Sequence, residues 1–403
     1  MTAPHDPPTA SEAKPVALPR VLLTLMPVMG VLFVAYLIVG IAMPVLPLHL
    51  NLGLGQSAFV VGLVGSMQYI TALFSRMWAG VYSDAHGAKQ AMILGQAAVI
   101  LGGVAYLVSL YFVGNPELSV AILMVARALL GVAQSFVVMG SMSWGLALAG
   151  PANAGKVLAW MGISLYAAFA LGAPIGTFLF DRYGFVAIAL ATMIAPAAAL
   201  LLILPMKAVP GVPQPRGGFT AVAGAVWLPG VGLALGCVGF GAISTFIALL
   251  YVERGWDQVW VAFTTSALAF VAGRITLGHL PDKVGGAKIA SICVLVEALG
   301  QVLIWQAQSP PMALVGIAMT GFGYALVYPG LGVEAIRRAP PQNRGLAMGA
   351  FTAFYDLSLA ISGPLLGIIA GAAGIASVFF VSALTAVTAA MIAGWLMMRP
   401  ARM

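Results

Sequence analysis

Charge is what this chain lacks. Its 403 residues include 18 Lys and Arg and 11 Asp and Glu, 7% in all, where soluble proteins carry roughly a quarter. That deficit excludes an ordinary soluble enzyme. There are two cysteines, Cys237 and Cys293, both inside apolar stretches, which excludes a disulfide framework. Residues 1–18, Pro-rich and carrying Asp6, Glu12 and Lys14, lack the basic start, short apolar core and cleavage site of a signal peptide. They read as a disordered cytoplasmic tail. No Gly-x-Ser-x-Gly elbow or Gly-Lys-Ser/Thr phosphate loop occurs, so nucleophilic or nucleotide-driven chemistry is not expected. The four histidines, His5, His49, His86 and His279, have no metal-ligand spacing. No metal and no cofactor are expected.

Apolar residues are abundant instead, at 62%, with a mean hydropathy of +1.04. Runs of about 20 apolar residues, long enough to span a bilayer, fall near 20–46, 57–82, 90–113, 118–146, 156–180, 185–205, 224–252, 259–280, 288–307, 312–337, 345–370 and 375–398. The fold class that follows is an all-α integral membrane protein of twelve transmembrane helices. The chain divides into a tail (1–19), an N-terminal six-helix bundle (20–205), a polar linker (206–223), a C-terminal bundle (224–398) and a short C-terminus (399–403). Lys14, Arg20, Lys89, Lys156, Lys207, Arg216, Lys283, Lys288, Arg337, Arg338, Arg344, Arg399 and Arg402 all fall on one side, against Arg182 and Arg254 on the other. This positive-inside bias puts both termini in the cytoplasm. The net charge of +7 therefore reports topology and does not point to nucleic acid.

One stretch occurs twice, about half a chain apart. Arg76-x-x-x-Gly80-x-x-x-Asp84-x-x-Gly87 returns as Arg274-x-x-x-Gly278-x-x-x-Asp282-x-x-Gly285. On a helix the positions i, i+4 and i+8 share one face, and each copy ends a span and runs into a basic turn. Gly172-Ala-Pro174-Ile-Gly176 in the fifth span answers Gly363-Pro364-Leu-Leu-Gly367 in the eleventh, and Gly131 and Gly140 in the fourth answer Gly321 and Gly330 in the tenth. The chain is a duplicated bundle.

With these motifs in view, the chain resembles the major facilitator superfamily of secondary transporters. Gly80-Val-Tyr-Ser-Asp84-Ala-His-Gly87-Ala-Lys89-Gln90 is similar to the family's loop motif, although Ala85 and Gln90 stand where cations are usual. Arg127-x-x-x-Gly131 resembles its fourth-helix motif. The Gly172–Gly176 and Gly363–Gly367 stretches resemble the fifth-helix motif of proton-coupled exporters, with Ala173 departing from its Gly-Pro. The set is most similar to bacterial sugar-efflux and multidrug-efflux-type permeases. The resemblance implies two pseudo-symmetric six-helix bundles rocking about a midplane site, in the bacterial inner membrane, as a monomer.

The residues expected to carry the work follow from cost. Arg127 lies nine residues after Leu118, roughly 13 Å into the membrane, where a cation costs at least ~2.5 kcal/mol unless it faces water or a partner. With Gly131 and Gln134 on its face, it is expected to line a cavity and to bind an anionic group or influence a nearby acid. Asp356, in the middle of the eleventh span, is the leading candidate to carry a proton. Glu297 in the ninth span is second, with a structural, hydrogen-bonded role the stronger reading for it. Tyr36, Gln68, Gln134, Tyr166, Thr245, Tyr324 and Tyr328 are expected to line the substrate cavity.

The repeated stretch, Arg76, Gly80, Asp84, Gly87 and Lys89 with Arg274, Gly278, Asp282, Lys283 and Gly285, is expected to be a gate. In it Asp84 docks near Arg344, Asp282 docks near Lys156, and the two arginines hold or release those carboxylates. Gly172, Pro174, Gly176, Gly363, Pro364 and Gly367 are hinge candidates. The partners expected are a small-molecule substrate, protons and the lipid bilayer. The function expected is proton-coupled export of a small organic solute. Proton-linked uptake by the same fold and a non-transporting membrane sensor on a transporter scaffold are the alternatives.

Overall fold

A computed structural model describes residues 18–150, 153–209, 220–340 and 343–398. The tail, most of the linker and the C-terminus beyond Met398 lie outside those residues. So do the side chains of Asp282 and Lys156, and with them the expected contact between the two.

Among the described residues are twelve helices long and apolar enough to cross a membrane. The first span is Leu18–Leu48, ending in a π turn over His49–Gly53. The next five are Ala58–His86, Ala88–Ser109, Pro116–Ala149, Ala154–Tyr183 and Phe185–Ile203. The seventh runs as Thr220–Gly236 and Val238–Glu253, with backbone bonds continuing through Cys237. The eighth is Val259–Leu277, followed by a short helix, Leu280–Val284. The ninth is Gly286–Gln306, and the tenth is split into Pro310–Tyr324 and Val327–Arg338. The eleventh and twelfth are Arg344–Ala373 and Ala376–Met398. In a bilayer every backbone donor and acceptor needs an internal partner, and uninterrupted helices provide it.

The interruptions have local causes. Proline cannot donate to the carbonyl four residues back and its ring collides with it. Pro281 thus forbids the bond to Leu277, where the eighth span stops. Ser83 occupies the matching place in the first copy, and there the helix runs unbroken to His86. The repeated stretch is therefore one helix face in the first half only, contrary to the sequence expectation for Arg274, Gly278 and Asp282. Pro329 likewise orphans the carbonyl of Ala325, where the tenth span breaks. Gly87 and Gly285 close the tight turns into the third and ninth spans with φ of +90° and +112°, values that side chains with a Cβ rarely adopt.

The halves are built alike. A Cβ on Gly131 would strike the Gln68 carbonyl of the second span, and one on Gly321 the Ser266 carbonyl of the eighth. Gly140 sits on the third span at Ala88, and Gly330 sits on the ninth at Gly286. The fourth and tenth spans thus use the same glycines to approach equivalent neighbours, the small-residue mode of membrane helix packing. Between the halves the second span lies on the eleventh. Gly62 faces Gly363 backbone to backbone, Gly367 rests on Phe59, and Ser66 Oγ donates to the Leu359 carbonyl at 2.8 Å. These contacts close the seam from mid-membrane towards the face opposite the linker.

Candidate transport site

Arg76 and Asp356 meet across the seam. Arg76 Nε donates to Asp356 Oδ2 at 2.7 Å, and its NH2 donates to Oδ1 at 2.8 Å. Asp356 is fully buried and the Arg76 side chain is 17% exposed. A bidentate, charge-assisted pair of this kind is among the strongest polar contacts a protein makes. It joins the second span of one half to the eleventh span of the other. The sequence assigns Arg76 to Asp84 at the helix end; the geometry commits it to Asp356 instead.

Arg274, its counterpart, takes a different partner. Its NH1 donates to the Ala325 carbonyl at 3.1 Å, the acceptor that Pro329 leaves without a helical donor. Aligning Gly172 with Gly363 and Gly176 with Gly367 matches Asp356 to Leu165 in the fifth span. The first half therefore offers Arg274 no acid at that position. Among the described residues the pair between the second and eleventh spans has no counterpart between the eighth and fifth, and the duplicated motif has diverged in what its arginines do.

The hinge candidates show the same division. Gly172 and Gly176 pack on Gly40 and Ile41 of the first span, inside their own half, whereas Gly363 and Gly367 pack across the seam. Pro174 removes the helical donor from the Ala170 carbonyl, and Thr264 Oγ1 of the eighth span supplies a replacement at 2.9 Å. A proline within one half thereby creates a hydrogen bond to the other. Lys89, expected at the gate, donates through Nζ to the carbonyls of Leu204 and Met206, both at 2.7 Å. It caps the sixth span, where a cation suits the negative helix end. Lys283 and Arg344 are exposed.

Two cavities lie between the halves, on the side away from the linker. One, about 410 Å³ counted with the open space at its mouth, is lined by Arg127 and Thr245 together with Met43, Tyr69 and Ser244. The other, about 300 Å³ on the same basis, is lined by Tyr166 with Phe169, Phe240 and Phe263, and shares Met43 and Ser244 with the first. Arg127, Thr245 and Tyr166 therefore line open space between the halves.

The remaining cavity candidates are engaged with neighbouring side chains, although Gln68 Oε1 has no hydrogen-bond partner among the described residues. Gln68 Nε2 donates to Gln134 Oε1 at 2.7 Å, and Gln134 Nε2 donates to Tyr36 Oη at 2.9 Å. Tyr328 Oη lies 2.6 Å from Thr352 Oγ1. Tyr324 stacks on Phe240 at 5.3 Å and approaches Phe270 at 5.7 Å. Phe270 in turn stacks on Tyr166 at 3.3 Å. These rings form an aromatic wall through the seam that includes Phe169, Phe240 and Phe270, none of which is singled out from the sequence. Phe169, three residues after Tyr166 and so on its helix face, is the one with a usable signal.

Glu297 is fully buried, and neither carboxylate oxygen has a hydrogen-bond partner among the described residues. The expectation of a hydrogen-bonded structural acid is not met. It sits between the seventh, ninth and tenth spans beside Gly239, Gly323 and Gln301, behind the cavities.

A duplicated twelve-helix bundle whose halves meet around a charged pair and two small cavities is the form of a membrane transporter. The chain belongs to the Major Facilitator Superfamily: that family's model matches residues 28–286 and 255–402. It is 40% identical over 354 residues to the uncharacterized MFS-type transporter YhhS of Escherichia coli (strain K12), covering 87% of each chain. It is 38% identical over 368 residues to the uncharacterized MFS-type transporter STM4428 of Salmonella typhimurium (strain LT2), covering 91% of this chain and 95% of that one. Among solved structures it superposes on a mutant form of the nucleoside transporter NupG with a TM-score of 0.74 at 14% identity, covering 93% and 99% of the two chains. The last likeness concerns the fold alone.

Proposed function

We propose that the protein is a proton-coupled exporter of a small organic solute, working by alternating access from the bacterial inner membrane with both termini in the cytoplasm. The observation that carries this reading is the Arg76–Asp356 pair, a titratable contact bridging the two halves in mid-membrane. A proton arriving at Asp356 cancels the charge that holds Arg76, and the second and eleventh spans lose their strongest polar tie. The halves are then free to rock apart at that seam. Loss of the proton on the other side restores the pair and re-closes it. Proton movement and helix separation are thereby the same event. Export is favoured over uptake by the Gly172–Gly176 and Gly363–Gly367 stretches, through their resemblance to the motif of proton-coupled exporters. The solute classes proposed are sugar-like, zwitterionic or drug-like compounds.

Proteoliposomes carrying the purified protein and a pH-sensitive dye test the reading. Solute-induced proton movement opposite to solute flux supports it, and parallel movement replaces it with uptake. Asp356→Asn should abolish gradient-driven flux. If it leaves that flux unchanged, the coupling role of Asp356 is wrong; if the natural protein moves no solute at all, a non-transporting sensor becomes the better reading.

A further inference from the structure

Of the three arginines well inside the spans, Arg76, Arg127 and Arg274, two are accounted for. Arg76 is neutralised by Asp356, and Arg274 is bonded to the Ala325 carbonyl. Arg127 is different. It is 7% exposed, its Nε has no hydrogen-bond partner among the described residues, and NH2 makes one long contact, 3.5 Å to the Gly65 carbonyl. Among the described residues no carboxylate stands within ion-pair distance of it, and neither cavity lining includes an acid. A guanidinium cannot shed its proton to escape this situation, and a buried charge is tolerated only when something pairs with it. A cavity opens beside it, bordered on the opposite half by Ser244 and Thr245.

The neighbouring cavity has the complementary character. Phe169 and Phe240, stacked on each other at 6.4 Å, line it, and Met43 and Ser244 belong to both linings. A ligand occupying the two together needs an anionic head at one end and an apolar body at the other.

We infer that the transported solute is a small organic anion, its carboxylate held by Arg127 and the Thr245 hydroxyl, the Ser244 hydroxyl being given to the Gly241 carbonyl at 3.0 Å, and its apolar body against Phe169 and Phe240. This rests on the transporter reading and narrows it. Arg127 belongs to one half, and Thr245 to the other. The head group therefore bridges the seam and disappears as a bridge when the halves part. Neutral sugars would leave the guanidinium unpaired, and organic cations would be repelled by it.

The test uses the full-length protein in detergent, with thermal unfolding as readout. Benzoate and phenylacetate are set against benzylamine and benzyl alcohol, which share the ring, and acetate, which shares the head. The two aryl acids should raise Tm saturably, with apparent affinity at least about tenfold above the amine and the alcohol, a charge-assisted contact being worth that much, and at least about tenfold above acetate, which has no ring to bury. Arg127→Gln should erase the preference. Arg127→Lys, which keeps the charge and the fold but loses the fork, should keep the preference at lower affinity. Phe240→Ala should weaken phenylacetate and leave acetate unchanged.

The inference is overturned if the amine or alcohol binds as tightly as the acids, if no acid binds, or if the Gln and Lys variants bind the acids like the natural protein. If sugars or amines drive counter-movement of protons in proteoliposomes, the anion assignment falls while the transport reading stands. If aryl acids bind through Arg127 and nothing is transported, the reverse holds.

Discussion

Replacing Arg76 with Met would leave Asp356 fully buried in the eleventh span without the two donors that now hold it at 2.7 and 2.8 Å. Removing one partner of a buried ion pair costs about 3–5 kcal/mol, because the survivor keeps its desolvation penalty and loses its compensation. Arg76 is 17% exposed, so some water reaches the pair and the lower end, about 3 kcal/mol, is expected. Asp356→Leu should cost a similar amount by stranding the guanidinium. The double variant Arg76→Met with Asp356→Leu replaces the pair by apolar side chains of comparable volume. It should return to within about 1 kcal/mol of the natural protein, since buried pairs and well-packed apolar groups are often equivalent. The measurement is a double-mutant cycle from denaturant unfolding in detergent, with an expected coupling of several kcal/mol. The double variant should also have lost proton-driven flux despite its stability, which separates coupling from folding. If either single change costs less than about 1 kcal/mol, or the double change costs the sum of the singles, the pair is not a compensated tie across the seam and the reasoning fails.

Other consequences are open to the same kind of measurement. Thr264→Val should cost about 1–3 kcal/mol by leaving the Ala170 carbonyl buried and unpaired. Adding Pro174→Ala, which restores the helical donor to that carbonyl, should recover most of the loss; no recovery would mean that the proline is not what makes the threonine necessary. Gly62→Ala places a methyl against the Gly363 carbonyl and should hold the second and eleventh spans apart. A cysteine introduced at Ser66 should then react with a membrane-impermeant thiol reagent faster than in the natural background, and an unchanged rate would show that the two backbones are not in contact. Glu297→Gln should keep unfolding stability at or above the natural value, because both carboxylate oxygens lack partners among the described residues, and should keep proton-coupled flux. Loss of flux in that variant would move the coupling role from Asp356 to Glu297.

The twelve spans were legible in the amino-acid order because the bilayer imposes a one-dimensional test: about 20 consecutive apolar residues, ended by charge or glycine. The duplication was equally legible, since it is a statement about order alone. Gly131, Gly140, Gly321 and Gly330 mark equivalent close approaches, as repeated glycines in spans should. Arg127 beside a cavity was also readable, because an isolated cation in mid-span has few tolerable surroundings.

What the tertiary structure decided is which polar groups meet. Arg76 and Arg274 open the same Arg–Gly–Asp–Gly spacing, yet one pairs with an acid across the seam and the other caps a carbonyl orphaned by Pro329. The difference lies in Asp356 against Leu165 and in a proline of the tenth span, all far from either motif. Thr264 gained its role from Pro174 in the same remote way, and Phe169 and Phe240 became cavity walls only when two bundles closed on each other. Periodicity and hydropathy describe each helix against its solvent and so can be summed along the chain. Pairing depends on the rotation and register of helices that the chain brings together from opposite halves, and no local property encodes that.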